Sequence, residues 1–402
     1  MNKKIYFTSL LFALTVSASA DYWTQKADLP GQGRADGCGF SIGTKGYIGT
    51  GYVTGYTKDW YEYDPATNGW IQKADYGGAP NVESASFSID TLGYILPAPT
   101  GNDFWQFDPV ANTWTQKAIF PGQQRQAAVT FVINGMGYIC SGASSSLGGS
   151  MNDLWEYDPV LNVWTAKANL PGAARHYAAG FAVGDKGYIG TGYSTVTGSS
   201  LSDFWEWDQL TDSWLQKANF PGGARYEDTG FSIGNFGYLG TGYTPSPNAQ
   251  IWKYDPVNDT WTPIADFGGG VRVENVSFSI GSLGYLGTGW DGVNFRYDFW
   301  EYHPEDSTTG VNESDPDSYQ DGLKFEVYPN PANETLVISY GSPGEGQLTI
   351  INAQGEKVYF EKLEPGNSER ETKIDLTSFA KGIYFVEVNK GKEKAVKKFL
   401  KE

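Results

Sequence analysis

The sequence predicts an all-β chain: a six-bladed β-propeller closed by its own N-terminal strand, followed by a small Ig-like β-sandwich. Three observations carry this. The phrase that opens at Asp21, DYWTQKADLPG, returns as GWIQKADYGG, TWTQKAIFPG, VWTAKANLPG, SWLQKANFPG and TWTPIADFGG. Its tryptophan falls at Trp23, Trp70, Trp114, Trp164, Trp214 and Trp261, at spacings of 47, 44, 50, 50 and 47 residues, the length of a four-stranded blade. The 402 residues also include 51 Gly, 14 Trp, 26 Tyr and 22 Phe but only 2 His and 3 Met, a composition suited to tight turns between aromatic strands.

The first 20 residues, MNKKIYFTSLLFALTVSASA, read as a secretory signal peptide. Lys3 and Lys4 make the basic region, Ile5 to Val16 the short apolar run, and Ala18-Ser19-Ala20 the cleavage site. No stretch of the mature chain is long and apolar enough for a transmembrane helix. Residues 21–304 then hold the repeats. A first strand (GFSIG, 39–43) carries a column of Phe40, Phe87, Phe131, Phe181, Phe231 and Phe278. A second begins Gly-Tyr, as in GYIGTG (46–51), and a third reads DWYEYD (59–64) and its relatives. In the third, Phe204 and Trp205 are adjacent and so point to opposite faces, and a sheet squeezed between two others buries both. The fourth strand carries the tryptophan phrase. After the sixth third strand, DFWEYHP (298–304), no further Trp follows, whereas Trp23 stands before any third strand. The first phrase is therefore expected to complete the last sheet, which removes two open edges.

These residues resemble the Kelch-repeat family from about Asp21 to Pro304: the Gly-Tyr of the second strand, the Tyr-Asp-Pro before the turn and the fourth-strand Trp carry the likeness. Gly-Thr-Gly stands in most copies where Kelch repeats have a double glycine. The resemblance implies a propeller. Kelch-type propellers also include copper radical oxidases, whose centre needs paired His ligands and a Tyr–Cys crosslink. Here His176 and His303 are expected on opposite faces, so no metal or other cofactor is expected.

Residues 305–322, EDSTTGVNESDPDSYQDG, read as an acidic linker that could at most hold calcium loosely at 315–321. Residues 323–402 alternate apolar and polar in short runs, which predicts the sandwich. Val327-Tyr328-Pro329-Asn330-Pro331, Lys381-Gly382-Ile383-Tyr384 and the last strand Lys397-Lys398-Phe399-Leu400-Lys401 resemble the type A C-terminal sorting domain of the type IX secretion system. That resemblance implies passage through the periplasm, engagement of the secretion machinery by residues 323–402, and a final place outside a Gram-negative cell or on its surface. Whether the tail is then removed is left open. An ordinary Ig-like stalk or carbohydrate-binding module is the alternative.

A formal charge of −17 argues against nucleic acid as a partner. Cys38 and Cys140 fall in different repeats and are expected to be buried free thiols, although secretion would permit a disulfide. The loops between second and third strands vary widely, and variable loops on a repeated scaffold are where recognition is expected. On the same face, in the connections into each first strand, Arg34, Arg125, Arg175, Arg225 and Arg272 form a column broken by Asn81. Two positions on lie Asp36, Glu83, Ala127, Tyr177, Glu227 and Glu274. The arginines could bind an acidic sugar or be spent on fixing the loop. Function is sought where the symmetry breaks, so the ligand-binding candidates are His176, Tyr177, Tyr226, Glu227, Asp228, Trp290, Asp291, Phe295 and Arg296. Tyr52, Tyr193, Tyr243 and Trp290 share a column that could equally cap the packing. The leading expectation is a ligand-binding protein for an extracellular glycan or surface protein. The alternatives are a metal-independent carbohydrate enzyme such as a sialic-acid epimerase, with Arg175, His176, Arg225 and Glu227 as catalytic candidates, and a structural surface component.

Overall fold

The computed structural model describes residues 21–98, 101–144, 148–304, 325–328, 332–340, 346–352, 357–363, 370–390 and 393–401. The leader 1–20 and the linker 305–322 lie outside the described residues. Contacts divide the chain into two compact units, Ser19–Glu305 and one within Asp306–Glu402. No described helix is long and apolar enough to cross a membrane.

The first unit is built from six four-stranded antiparallel sheets, each in sequence order from the first strand outward. Sheet one comprises Cys38–Ile42, Lys45–Gly49, Trp60–Asp64 and Gly69–Gln72. Sheet two comprises Ala85–Ile89, Leu92–Leu96, Trp105–Asp108 and Thr113–Gln116, and sheet three Val129–Ile133, Met136–Cys140, Leu154–Asp158 and Val163–Lys167. Sheet four holds Ala179–Val183, Lys186–Gly190, Phe204–Asp208 and Ser213–Lys217. In sheet five the first two strands lengthen to Tyr226–Ile233 and Phe236–Tyr243, followed by Ile251–Asp255 and Thr260–Pro263. Sheet six takes Val276–Ile280, Leu283–Gly287 and Phe299–His303 from the end of the repeats, and its fourth strand is Tyr22–Gln25, with Trp23 opposite Tyr302.

The repeated words are the contacts between neighbouring sheets. Each first-strand Phe packs on the second-strand Gly of the next sheet; a Cβ at Gly93 would stand 2.0 Å from the Phe40 ring, and Phe278 of sheet six meets Gly46 of sheet one in the same way. That is why the second strand opens Gly-Tyr: a side chain there would push the neighbouring sheet away. Each fourth-strand indole donates to the carbonyl of the Ala that ends its neighbour's tryptophan phrase, as Trp70 does to Ala27 at 2.8 Å and Trp23 to Ala265 at 3.2 Å. A turn Asn or Asp answers by accepting from an Ala amide, as Asn68 does from Ala27 at 2.9 Å and Asp259 from Ala218 at 3.0 Å. Among the described residues sheet six has no such turn, and Asp21 takes the part, accepting from the Ala265 amide at 2.7 Å and from the Tyr302 hydroxyl at 3.1 Å.

The first strands lie side by side in order, with Val276–Ile280 against Cys38–Ile42. They line a polar central channel of about 420 Å³. Its hydroxyls are spent between sheets: Ser88 donates to the Ser41 carbonyl at 2.6 Å, Thr130 to Ser86 at 2.7 Å and Ser279 to Ser232 at 2.6 Å. Cys38 and Cys140 are buried and free.

The second unit has a three-stranded sheet (Phe325–Tyr328, Thr335–Tyr340, Arg370–Asp375) and a four-stranded one (Lys357–Leu363, Gly346–Asn352, Gly382–Lys390, Glu393–Lys401). Leu336, Ile338, Leu348, Ile350, Val386 and Phe399 belong to its single core, as alternation predicts. Pro329–Pro331 lies outside the described residues.

Candidate functional site

One end of the channel opens among the connections that precede the first strands. There the backbone does something the sequence hides. Asp36, Glu83, Ala127, Tyr177, Glu227 and Glu274 all adopt positive φ, between 51° and 58°. None is glycine, so this left-handed geometry costs each of them strain that the surrounding contacts must hold. Their amides and carbonyls join head to tail: Glu83 donates to Asp36 (2.9 Å), Ala127 to Glu83 (3.1 Å), Tyr177 to Ala127 (3.1 Å), Glu227 to Tyr177 (2.9 Å), Glu274 to Glu227 (3.3 Å), and Asp36 back to Glu274 (3.2 Å). Six bonds from six sheets thus gather one side chain per sheet around a cavity of about 140 Å³. Ala127 leaves a gap, and the Tyr177 hydroxyl reaches Glu83 on the far side of that position, donating at 2.5 Å.

The mouth is acidic, and its carboxyls are largely buried. Burial and then the neighbouring carboxylates push Glu227 up to about 8, and they raise Asp36 and Glu274 as well. Burial raises Glu83, against the Tyr177 hydrogen bond. A carboxyl whose folded-state pKa is raised stabilises the fold fully below its unfolded value, and that contribution is lost as pH rises through the folded one. The ligand-free protein is therefore expected to lose thermal stability between about pH 5 and pH 8. Glu227→Gln should lose less. A parent melting temperature that stays flat across that window would contradict this placement.

The arginine column lies beneath the mouth and not in it. Arg34, Arg125, Arg175, Arg225 and Arg272 are 0–3% exposed. Arg175 forks onto Asp203 at 2.9 and 2.7 Å and donates to the Thr191 carbonyl at 3.0 Å. Arg34, Arg125 and Arg272 repeat this with Asp59, Asp153 and Asp298. The carboxylate partner is the Asp that opens the third strand, not the acid two positions on. Gln250 stands there in sheet five, so Arg225 has only the carbonyls of Thr241 and Gly222 and a 3.4 Å contact to Gln250. Arg175 and Arg225, two of the catalytic candidates, thus sit in this buried framework, and no guanidinium of the column lines the mouth.

Aromatic rings stand around the acids. In four of the sheets the residue just after the Arg pairs with the residue that follows Gly-Thr-Gly: Ala35 with Tyr52, His176 with Tyr193, Val273 with Trp290, and, within lengthened strands, Tyr226 with Tyr243. His176, Tyr193, Tyr226 and Tyr243 form a continuous cluster with ring centroids 5.7, 5.7 and 5.4 Å apart, and Tyr177 joins it at 5.1 Å from His176. A second group is Tyr52, Tyr56 and Phe295, with Tyr52 5.7 Å from Phe295; these three are 37–48% exposed. The sheet-six loop crosses the segment before sheet one so closely that a Cβ on Gly33 would lie 2.0 Å from the Phe295 carbonyl. Within that loop Asp291 caps the turn and pairs with Arg296 at 3.0 Å, so these two hold a hairpin that presents Phe295.

Asp228 faces inward, accepts from Thr191 at 2.9 Å and is pushed up to about 7 by burial, against the pull of Arg225. His176 is kept below its ordinary value by burial, and its Nδ1 lies 2.9 Å from the Ser150 hydroxyl, which also accepts from the Thr195 amide at 3.1 Å. Sequence reasoning missed Ser150; its loop varies, and no motif marks it. His303 stacks on Tyr22 at 4.4 Å in sheet six, away from the His176 cluster. Among the described residues no three His, Cys, Asp or Glu side chains converge to hold a metal ion.

Residues 326–402 match the family described as "Secretion system C-terminal sorting domain". The chain is therefore exported by the type IX system to the cell surface or extracellular space of a Gram-negative bacterium. Among solved structures, "Structure of YjhT" is similar, with a TM-score of 0.58 at 19% identity over 68% of this chain and 96% of that chain. At that identity the likeness speaks for a propeller fold alone. No curated protein matches the chain significantly.

Proposed function

We propose that this exported chain is an extracellular ligand-binding protein, a six-bladed Kelch-type propeller over residues 21–304 whose recognition surface is the acid-lined mouth and its aromatic surround. A leader at 1–20 and a linker at 305–322 complete the arrangement, with the sorting sandwich at 323–402. The observation that carries this reading is the head-to-tail hydrogen-bond circle, which brings side chains from all six sheets to one opening. Its strained backbone, desolvated carboxyls and exposed aromatic rings are costly, and packing alone gives no reason for them. The ligand is a glycan or a surface protein, uncharged or cationic on the side that enters the mouth.

Binding of the mature chain to arrayed glycans and peptides tests this. Tyr226 touches Tyr177, Tyr193 and Tyr243, so Tyr226→Ala is expected to weaken the ligand found by about tenfold or more. Tyr328→Ala, in the tail, should leave it unchanged. Binding that survives Tyr226→Ala would place recognition elsewhere; no binding at all would favour the structural surface component.

A further inference from the structure

We propose that sheet five holds a site for a small carboxylate ion, of formate or acetate size, at Arg225 and Trp252, where Gln250 stands in place of the aspartate of the other sheets. This goes beyond the recognition reading above and does not depend on it, since none of these three residues lines the mouth.

The protein itself shows what this donor set holds. In sheets one, three, four and six the column arginine forks onto the carboxylate of the aspartate that opens the third strand, with N···O distances of 2.6–3.0 Å. In sheets three, four and six the indole of the tryptophan two positions on donates to the same carboxylate at 2.6–2.8 Å. Sheet five repeats the frame around that group. Arg225 donates to the Thr241 carbonyl at 2.7 Å, as Arg175 does to the Thr191 carbonyl at 3.0 Å. The Thr241 amide donates to the Gln250 carbonyl at 2.8 Å, as the Thr191 amide does to Asp203 at 3.2 Å. Trp252 lies opposite Leu239, as Trp205 lies opposite Ile189. What changes is the acid, which is here an amide.

The deficit is one of charge as well as of hydrogen bonds. Arg225 is fully buried, yet among the described residues no carboxylate hydrogen-bonds it. Its side chain has the carbonyls of Thr241 and Gly222 and a long 3.4 Å contact to Gln250. The Arg225 Nε and the Trp252 Nε1 are both buried without an acceptor. The acid that acts on Arg225 through space, Asp228, is turned to Thr191 at 2.9 Å and is pushed up to about 7 by burial, so it supplies only part of a counter-charge. Water answers an N–H group but not a buried charge, whereas a carboxylate answers both. Sheet two, which has Asn81 in place of its arginine, carries no such buried cation.

Access and size set the ligand. Gln250 is exposed, so its side chain can turn outward without disturbing the core. The place it leaves is that of one carboxylate on one methylene, as Asp203 fills it in sheet four. Formate and acetate match that size, and a branched acid does not. Chloride neutralises the charge but cannot take two parallel N–H bonds from one guanidinium.

The test is thermal unfolding of the mature chain in sodium formate and sodium acetate, against sodium chloride and sodium pivalate at the same ionic strength. Saturation-transfer NMR on the formate proton reads contact directly. Formate and acetate should raise the melting temperature of the repeat unit by about 2 °C more than chloride or pivalate does. Gln250→Asp supplies the carboxylate from within. It should raise the melting temperature in chloride by about 2–4 °C and abolish both the formate shift and the saturation-transfer signal. Gln250→Ala removes the competing amide and should keep or enlarge both. Formate no better than chloride or pivalate, a formate response that survives Gln250→Asp, or a Gln250→Asp protein no more stable than the parent overturns the inference. The recognition reading is untouched by any of these results, because its own test is Tyr226→Ala.

Discussion

Arg175→Ala should destabilise the repeat unit by about 3–5 kcal/mol, among the largest losses expected from any single truncation in this chain. The guanidinium is fully buried, forks onto Asp203 and satisfies the Thr191 carbonyl. The Asp203 carboxylate also accepts from the Trp205 indole at 2.6 Å and is held below its usual range by Arg175 against the cost of its burial. Removing the arginine leaves that carboxylate desolvated and half-answered. The same change at Arg225 should cost less, because Gln250 replaces the aspartate and the buried acid that Arg225 does act on, Asp228, is already pushed up to about 7 and can take a proton. Urea unfolding of both variants checks the pair. Equal losses, or an Arg175→Ala midpoint indistinguishable from the parent, would mean that the column is not the framework described.

The second large effect is at the other end of the repeats. Trp23→Ala should cost about 3–5 kcal/mol, and deletion of residues 21–27 should leave the protein aggregation-prone. The Trp23 ring packs at 5.1 Å on Phe267 and 5.0 Å on Tyr302, and its indole bonds Ala265. Deletion also removes Asp21, which answers both Ala265 and Tyr302, and bares the edge of Phe299–His303. The variant should elute as aggregate or give no cooperative melt. A soluble monomer with a parent-like melting temperature would show that the segment is dispensable.

Much of the fold was legible because each repeated word has one physical task. The tryptophan spacing marked the sheets, Gly-Tyr marked close approach, and the unpaired first phrase at Trp23 pointed to the strand missing after His303. The site was harder to read. The left-handed backbone at Asp36, Glu83, Tyr177 and Glu227 leaves no sign in residue type, since glycine, the usual marker, is absent. The arginines were visible but their partners were not: Asp203 lies 28 residues beyond Arg175 and reads as the start of a strand. Three positions placed in a connection, Tyr226, Glu227 and Asp228, lie within the lengthened first strand of sheet five, because Tyr243 continues the pairing there.

The proposed ring depends on the first mature segment lying beside the last repeat strand. Tyr22 and His303 are cross-strand partners with stacked rings and partial exposure, while Cys38 and Cys140 are buried and do not compete for oxidation. In Tyr22→Cys/His303→Cys, mild oxidation or a short thiol crosslinker should join the two positions within one chain. After cleavage between them, mass spectrometry should find the N-terminal peptide still attached to the peptide holding residue 303. A double variant that stays reduced and uncrosslinked, or that links only between chains, would contradict closure and with it the single mouth on which the recognition proposal rests.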